Sequence, residues 1–595
     1  MQLRIALSIS GSLDPSTRCA RDSFYSCINN MNKHIFFGQI RSITFIFLVC
    51  LACHWMLLLN DGFFWDDNVY YSLIHGKHYT ELSTFLLETG LPLNILFFRG
   101  LDLFFGVSNH RVVGFFTIFL SAVLLNSLFR HFACEFKSLS LVFTSLYLTL
   151  FPFKSTVLLC TLVYQVMLLF FIVAVYIRVN FSQHDSRSVR LYSLVAFSLL
   201  SFFSFNTASI LVLFYFFLAF EHFSSNRFSH TAWSIHSIWT YVRKNLLVVT
   251  LPIVYWLTKS FFFPTHGLYN NYNKINFDLK SYWDVSGAFF SGIFLVDSFF
   301  IVGARVSPLI LVVVLTFVLL TAFPRWWRGD RFHLPPLRMS RILLICWAIA
   351  FLAISALPYI LVQQGPRFQG WESRHYLLFT LSLPIFILVV AHVYLDRIKE
   401  MARAQSMGFI LRPLVLLISL VGFASSNLVY LDYQLIAIKQ WAVVENLKAK
   451  PELKHYSSFW VDDQIGDFSK TNFSWYEASN QDWFEWSAIF KKAWSAEKWY
   501  ANNVDTRERF YKGIRYGAAD IDPKGKKCKF VLKNTSIYGK TGIVRRYFSL
   551  KYLGPENSLQ EFLLSIASIE GCEIVAKSLS TVSQQSDTKF VNLVN

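Results

Sequence analysis

Apolar runs dominate the sequence between positions 41 and 430. They recur at lengths of about 15 to 25 residues, close to the roughly 20 that an α-helix needs to cross the hydrocarbon core of a bilayer. The pattern therefore predicts a polytopic α-helical membrane protein. The eleven predicted spans lie near residues 43–59, 111–129, 139–153, 157–177, 190–205, 207–221, 246–263, 306–323, 342–361, 375–395 and 411–430.

Composition agrees with this pattern. The chain has 595 residues, of which 54% are hydrophobic and only 15% charged, and its mean hydropathy is +0.42. These values exclude a water-soluble globular protein. The net charge of +18 comes largely from basic residues in short loops between spans, where Lys and Arg set the orientation of the helices. The charge therefore indicates topology, and we expect no nucleic-acid partner.

The distribution of charge predicts the topology. Residues 1–42 contain five basic and two acidic residues, so we expect a cytoplasmic N-terminal tail, and its irregular pattern argues against a cleaved signal peptide. Residues 60–110 are rich in acids and are predicted to form an external loop containing short helices on the membrane surface. The apolar stretch 284–303 is predicted to be interfacial or re-entrant, because a span there would reverse the orientation of the basic segment 325–338.

Polar residues become frequent after the last predicted span. We therefore divide the chain into the tail 1–42, a membrane domain 43–431 and a soluble external domain 432–595 of mixed α and β structure. Alternating runs predict strands at 528–532 and 542–548. Cys528 and Cys572 are the only cysteines of this domain, and in an oxidising compartment we expect them to form a disulfide. Core packing explains the many aromatic residues of the domain more simply than sugar stacking does.

The strongest candidate for chemistry is an acidic pair just beyond the first span. Asp66 and Asp67 follow Trp65 and precede Tyr70 and Tyr71. A desolvated carboxylate beside aromatic rings has a raised pKa, which suits a general base. A structural alternative is that Asp66 caps the following helix and Asp67 interacts with the helix dipole.

This arrangement resembles the GT-C superfamily of membrane glycosyltransferases. The resemblance rests on the acidic pair Asp66–Asp67 in the external loop, on the Glu-x-Gly-x-Pro stretch at Glu88–Pro92, and on the architecture of many spans with a soluble external domain. It implies a bacterial inner-membrane enzyme that uses polyprenyl-phosphate sugars to decorate O-antigen or another envelope glycan. It also implies that Asp66 or Asp67 takes the proton of the acceptor hydroxyl, with inversion at the anomeric carbon.

The lipid phosphate that leaves in such a reaction requires cations. The segment between spans nine and ten offers Arg367 and Arg374, with Glu372 and His375 beside them, and Arg binds phosphate through two parallel hydrogen bonds. Anchoring to lipid headgroups is the alternative role for these arginines. Lys154, in an external turn, is a further candidate, and snorkelling to the interface explains it equally well.

Groups that hydrogen-bond sugar hydroxyls occur after span seven, at His266, Tyr269 and Asn270, where turn formation is an equal explanation. Glu88 is a candidate substrate ligand that, together with Asp67, would suit Mg²⁺ or Mn²⁺. The sequence leaves metal dependence open.

Two other function classes remain compatible with the sequence. A polymerase or ligase of lipid-linked glycans also uses external Arg and His residues. A glycolipid transporter or flippase would carry ionisable residues near the middle of the bilayer, whereas the candidate residues of this chain gather at the external ends of the spans.

Overall fold

A computed structural model of the chain describes most of the predicted membrane domain and part of the external domain. The described residues are 39–64, 66–132, 137–151, 153–181, 186–225, 234–266, 275, 277–293, 341–366, 371–400, 404–456, 458–465, 483–494, 499–502 and 527–574.

The described chain is mainly helical. The helices of its first half are α1 Gln39–Leu59, α2 Asp67–His75, α3 Tyr79–Glu88, α4 Asn94–Phe104, α5 His110–Phe132, α6 Lys137–Thr149, α7 Leu159–Phe181, α8 Arg187–Ser204 and α9 Ser209–Ser225. Those of its second half are α10 Ile235–Lys244, α11 Leu246–Phe262, α12 Leu279–Ile293, α13 Arg341–Leu361, α14 Phe379–Glu400, α15 Ala404–Lys448, α16 Trp483–Trp494, α17 Lys540–Leu553 and α18 Glu556–Ile566.

Four candidate membrane spans occur among the described residues. These helices, which are long and apolar enough to cross a bilayer, are Gln39–Leu59, Val107–Arg130, Leu159–Phe181 and Arg341–Leu361. The pair α10 and α11, bent by 76°, makes a fifth if it counts as one span. A helix occupies every other predicted span except 306–323, which lies outside the described residues. Within the predicted interfacial stretch 284–303, the structure describes only the end of α12, a 15-residue helix.

The segment between α1 and α5 folds into three short helices, α2, α3 and α4, as expected for an external loop with helical stretches. Gly90 ends α3 with a positive φ of +68°. A Cβ at Gly90 would approach the carbonyl oxygen of Phe263 to 3.2 Å, so glycine permits both the turn and the close approach to the chain that follows α11.

Helix α15 is 45 residues long and runs without interruption through position 432, where we placed the start of the external domain. Its second half packs against the sheet and helices of that domain. The Nε1 atom of Trp494 in α16 donates a hydrogen bond of 3.0 Å to the carbonyl oxygen of Leu447. Lys439 forms an ion pair with Asp463.

The described part of the C-terminal domain, residues 432–595, contains a four-stranded sheet. Its strands are β1 Ser458–Asp463, β2 Trp499–Asn502, β3 Lys527–Asn534 and β4 Ala567–Ile574, in the order β2-β1-β3-β4. Strand β1 pairs in parallel with β2 and β3, whereas β3 and β4 are antiparallel. Phe459, Trp486 and Phe530 are fully buried, which agrees with core packing as the role of these aromatic residues.

One of the two predicted strands is wrong. Residues 528–532 lie in β3 as expected, but residues 542–548 belong to α17. The buried side chains Ile543, Val544, Tyr547 and Leu550 follow the i, i+1, i+4, i+7 spacing of one helical face. The short alternation within 542–548 is part of that longer helical pattern.

The predicted disulfide falls on two neighbouring strands. Cys528 is fully buried in β3, and Cys572 belongs to the antiparallel strand β4. The side chain of Cys572 lies outside the described residues, so the pairing of Cys528 with Cys572 stays a prediction.

The C-terminal domain contacts the chain after α1 through Asp61. The carboxylate of Asp61 accepts hydrogen bonds from the Tyr547 hydroxyl at 2.7 Å and from the Lys551 ammonium at 2.5 Å, both on α17. Gln440 of α15 donates to the carbonyl oxygen of Phe63 at 2.8 Å. These contacts fix the chain that leads from α1 to the acidic pair.

We predict that Tyr547→Phe lowers the free energy of unfolding by about 1 kcal/mol, because it removes a half-buried hydrogen bond to a carboxylate. Lys533→Ala, which breaks the exposed Lys533–Glu570 ion pair of the same domain, should cost less, on the order of 0.5 kcal/mol. Thermal unfolding of the full chain in nanodiscs checks both values. Equal losses for the two variants would contradict a specific role for the Asp61 contact.

Candidate active site

The acidic pair lies at the start of α2. Asp66 occupies the N-cap position without a side-chain capping hydrogen bond, and Asp67 is the first helical residue. Asp66 is half-buried, whereas Asp67 is fully buried. The two carboxylates therefore have different environments, although they are adjacent in the sequence.

Asp67 contacts the N-terminus of a different helix, α7. Its Oδ1 atom accepts a hydrogen bond of 3.0 Å from the backbone N–H of Cys160, the second residue of α7. A carboxylate at this position satisfies a helix-terminal N–H and interacts favourably with the helix dipole. The Oδ2 atom is buried and has no hydrogen-bond partner among the described residues.

Burial raises the pKa of Asp67 to about 6, although the N–H groups at the start of α7 and the Arg111 guanidinium oppose the shift. Desolvation of the charged form outweighs these interactions. The structural alternative for Asp67, contact with a helix dipole, is thus realised at α7, whereas we expected it at the helix that follows the acidic pair.

Arg111, at the start of α5, is a functional candidate that the sequence analysis missed. Its buried guanidinium donates hydrogen bonds to the carbonyl oxygen of Asn60 at 2.8 Å, to that of Val157 at 3.1 Å, and to that of Gly62. It thereby joins the chain after α1 to the turn before α7. The only signal in the sequence is a basic residue at the start of an apolar run, which is common at membrane interfaces.

The arginine–histidine segment forms a 3-10 turn, Trp371–Tyr376, between α13 and α14. The turn packs on a second 3-10 turn, Lys154–Val157, where the Ser155 N–H donates a hydrogen bond of 2.7 Å to the Ser373 hydroxyl. Ser155 lies five residues before Cys160, so this contact brings the arginine–histidine turn to the N-terminal end of α7.

His375 is buried in this turn, and Arg374 is half-buried beside it. The Nε atom of Arg374 lies 3.2 Å from His375 Nε2, and His375 Nδ1 lies 3.1 Å from the carbonyl oxygen of Gly365. Burial, followed by the adjacent Arg374 charge, lowers the pKa of His375 to about 3. His375 is therefore neutral at pH 7, and Arg374 supplies the positive charge of the turn.

The acidic pair and Arg374 both lie near Cys160, in the first turn of α7. The thiol of Cys160 lies within electrostatic range of Asp66, Asp67 and Arg374. Two carboxylates and a guanidinium, which are about 300 residues apart in the sequence, thus lie near the first turn of α7. The acidic pair and the arginine–histidine turn therefore lie near the same end of α7.

Lys154 has a different environment. Its side chain is fully buried, and its ammonium group donates a hydrogen bond of 2.6 Å to the Ser426 hydroxyl of α15 and lies 5.8 Å from the Tyr430 ring centroid. Burial lowers the pKa of Lys154 to about 7. These contacts favour a packing role within the helical bundle over either snorkelling or phosphate binding.

The remaining candidates are more dispersed. The carbonyl oxygen of Glu88 accepts a hydrogen bond of 3.1 Å from the backbone N–H of His266, and the His266 side chain is exposed. Glu372 is half-buried next to Ser373. The other three predicted substrate ligands, Tyr269, Asn270 and Arg367, lie outside the described residues.

No group of three or more His, Cys, Asp or Glu residues in the described part of the chain could hold a metal ion. The described residues thus supply no clustered ligand set for the Mg²⁺ or Mn²⁺ that the sequence left open.

Comparisons with protein-family models, with curated proteins and with solved structures found no match to this chain.

The raised pKa of Asp67 predicts a pH effect on stability. The pKa of this carboxyl rises from 3.8 to about 6 on folding, so the folded state binds the proton more tightly than the unfolded state. The resulting contribution to the free energy of unfolding is fully present below pH 4 and is lost as the pH rises through 6. Two pKa units correspond to about 3 kcal/mol. We therefore expect Asp67→Asn, which stays neutral, to gain stability relative to wild type between pH 4 and pH 7.

Unfolding of both proteins in nanodiscs across this range checks the prediction. Asp102→Asn is the matched control, because Asp102 is an acid of the same segment and pairs with the exposed Lys77. A constant difference between wild type and Asp67→Asn at every pH would contradict a raised pKa.

Proposed function

We propose that this protein is a glycosyltransferase of the GT-C type. It transfers a single hexose, such as glucose, from a polyprenyl-phosphate donor to an O-antigen or similar envelope glycan. The observation that supports this proposal is the convergence of Asp66, Asp67 and Arg374 at the N-terminus of α7. A base and a phosphate-binding cation are the two groups that this reaction requires.

The proposal includes the membrane topology. Eleven helices cross the inner membrane of a bacterium, with the N-terminus in the cytoplasm and the C-terminal domain in the periplasm. Four helices of sufficient length and hydropathy among the described residues support this topology. The contacts of Asp61 with α17 also fit a domain that lies against the end of α1.

Asp66 is the better candidate for the general base. A base must reach the acceptor hydroxyl, and Asp66 is half-buried at the N-cap of α2, whereas Asp67 is fully buried with one oxygen bonded to α7. Asp66 takes the hydroxyl proton as the acceptor oxygen forms a bond to the anomeric carbon. The bond between that carbon and the phosphate oxygen breaks, and the polyprenyl phosphate leaves with inversion.

Arg374 stabilises the negative charge that develops on the leaving phosphate. Its guanidinium is half-buried, so its charge acts in a medium of lower dielectric constant than water, which strengthens the interaction. Neutral His375 contacts Arg374 Nε and adds no second charge. We assign Asp67 and Arg111 positioning roles, because they connect the acidic segment to α7.

We predict that Asp66→Asn reduces sugar transfer by about 100-fold or more, as expected when a general base is lost. Glu81→Gln, an exposed acid of the same segment, should transfer normally. The measurement is transfer of radiolabelled glucose from polyprenyl phosphate to an envelope glycan in membranes containing each variant.

Full turnover by both Asp66→Asn and Asp67→Asn would show that the acidic pair is structural. Movement of label across the bilayer without a new glycosidic bond would indicate the transporter class, and joining of whole lipid-linked glycan units would indicate a polymerase or ligase.

A further inference from the structure

A second polar cluster lies at the turn between α8 and α9, residues 205–209. The turn is buried at Asn206, Thr207 and Ser209. Asn206 Nδ2 donates a hydrogen bond to Asn94 Oδ1 at the start of α4. The turn therefore contacts the same helical segment, between α1 and α5, that carries the acidic pair.

Several buried oxygen atoms around this turn have no hydrogen-bond partner within the described part of the chain. They are Asn206 Oδ1, Thr207 Oγ1 and the hydroxyl oxygen of Tyr255, whose ring centroid lies 5.8 Å from that of Phe205. A buried polar atom without a partner costs about 1–3 kcal/mol, so two of them in the turn and a third on the neighbouring helix α11 indicate a ligand or ordered water.

The chemistry of these groups restricts the ligand. Amide and hydroxyl groups both donate and accept hydrogen bonds, as sugar hydroxyls do. No charged residue occurs in the sequence between Arg190 and Glu221. The turn therefore suits a neutral, polyhydroxylated group better than an anion.

One tyrosine connects this turn to the candidate active site. The hydroxyl of Tyr359 lies 3.4 Å from the Ser209 hydroxyl, and its ring centroid lies 5.3 Å from that of His375. Tyr359 is also within electrostatic range of Arg374. A ligand whose phosphate binds Arg374 would thus place its next chemical group near the 205–209 turn.

We propose that the 205–209 turn, with Asn94 and Tyr255, is a subsite for the hydroxyl groups of the donor sugar. This inference rests on the proposed function, since it takes Arg374 as the ligand of the donor phosphate. The subsite binds the hydroxyl groups of the donor sugar, whereas Arg374 binds the phosphate and the acidic pair acts on the acceptor.

The test measures binding of two lipids to the full chain in nanodiscs: radiolabelled polyprenyl-phosphate glucose, and polyprenyl phosphate without sugar. Thr207→Val and Tyr255→Phe each remove one hydroxyl and keep the shape of the side chain. Each should weaken binding of the glucose-bearing lipid about five- to tenfold, the value of one hydrogen bond, and leave binding of polyprenyl phosphate unchanged.

Thermal unfolding separates a binding role from a structural one. Because neither hydroxyl has a protein partner, both variants should be as stable as wild type or more stable. Ser568→Ala is the matched control, since the Ser568 hydroxyl of β4 is also buried without a partner and should affect neither lipid.

Three results would contradict the proposed subsite. The first is unchanged binding of both lipids by Thr207→Val and Tyr255→Phe, which would mean that the turn holds water. The others are an equal loss of binding for both lipids in these variants, and a wild type that does not bind the glucose-bearing lipid more tightly than polyprenyl phosphate. A wild type that prefers this lipid but transfers no sugar would contradict the transferase proposal and leave the subsite in place.

Discussion

The site depends on one buried cation, the guanidinium of Arg111. A guanidinium removed from water is strongly destabilising unless its N–H groups find acceptors, and Arg111 finds them in carbonyl oxygens on both sides of the site, at Asn60, Gly62 and Val157. The chain after α1 and the turn before α7 are thereby held together. This connection supports the direct contact of Asp67 with the N-terminus of α7.

Backbone groups assemble the rest of the site. Asp67 accepts from the N–H of Cys160, and Ser373 accepts from the N–H of Ser155. Each bond joins a side chain of one segment to the main chain of another that is about 90 or more residues away. Because main-chain N–H groups at a helix start and in a 3-10 turn have no partner within their own element, they are available to fix such long-range contacts.

The sequence predicted the positions of helices better than the contacts between them. Hydropathy located α1, α5, α7 and α13, and residue chemistry identified the acidic pair and Arg374 as candidates. The role of Arg111 was not predictable, because its three acceptors are carbonyl groups, which every residue carries. The Asn94–Asn206 contact was not predictable either, since two amides separated by more than 100 residues give no local pattern in the sequence. The short alternation within 542–548 predicts a strand, whereas the longer sequence of α17 shows helical spacing.

Because helix α15 is continuous, the C-terminal domain cannot be separated from the helical bundle by truncating the chain at residue 432. Residues 432–448 continue the same helix without a break. Ala437 packs against Gly62, where an added Cβ would approach the Ala437 Cβ to 2.6 Å. The same half of α15 contacts strand β1 through the Lys439–Asp463 ion pair and helix α16 through the carbonyl oxygen of Leu447. A fragment that begins at residue 432 would expose to water a surface shaped for the end of α1. Ser426 of the same helix accepts the hydrogen bond of Lys154, so α15 also connects the sheet with the turn before α7.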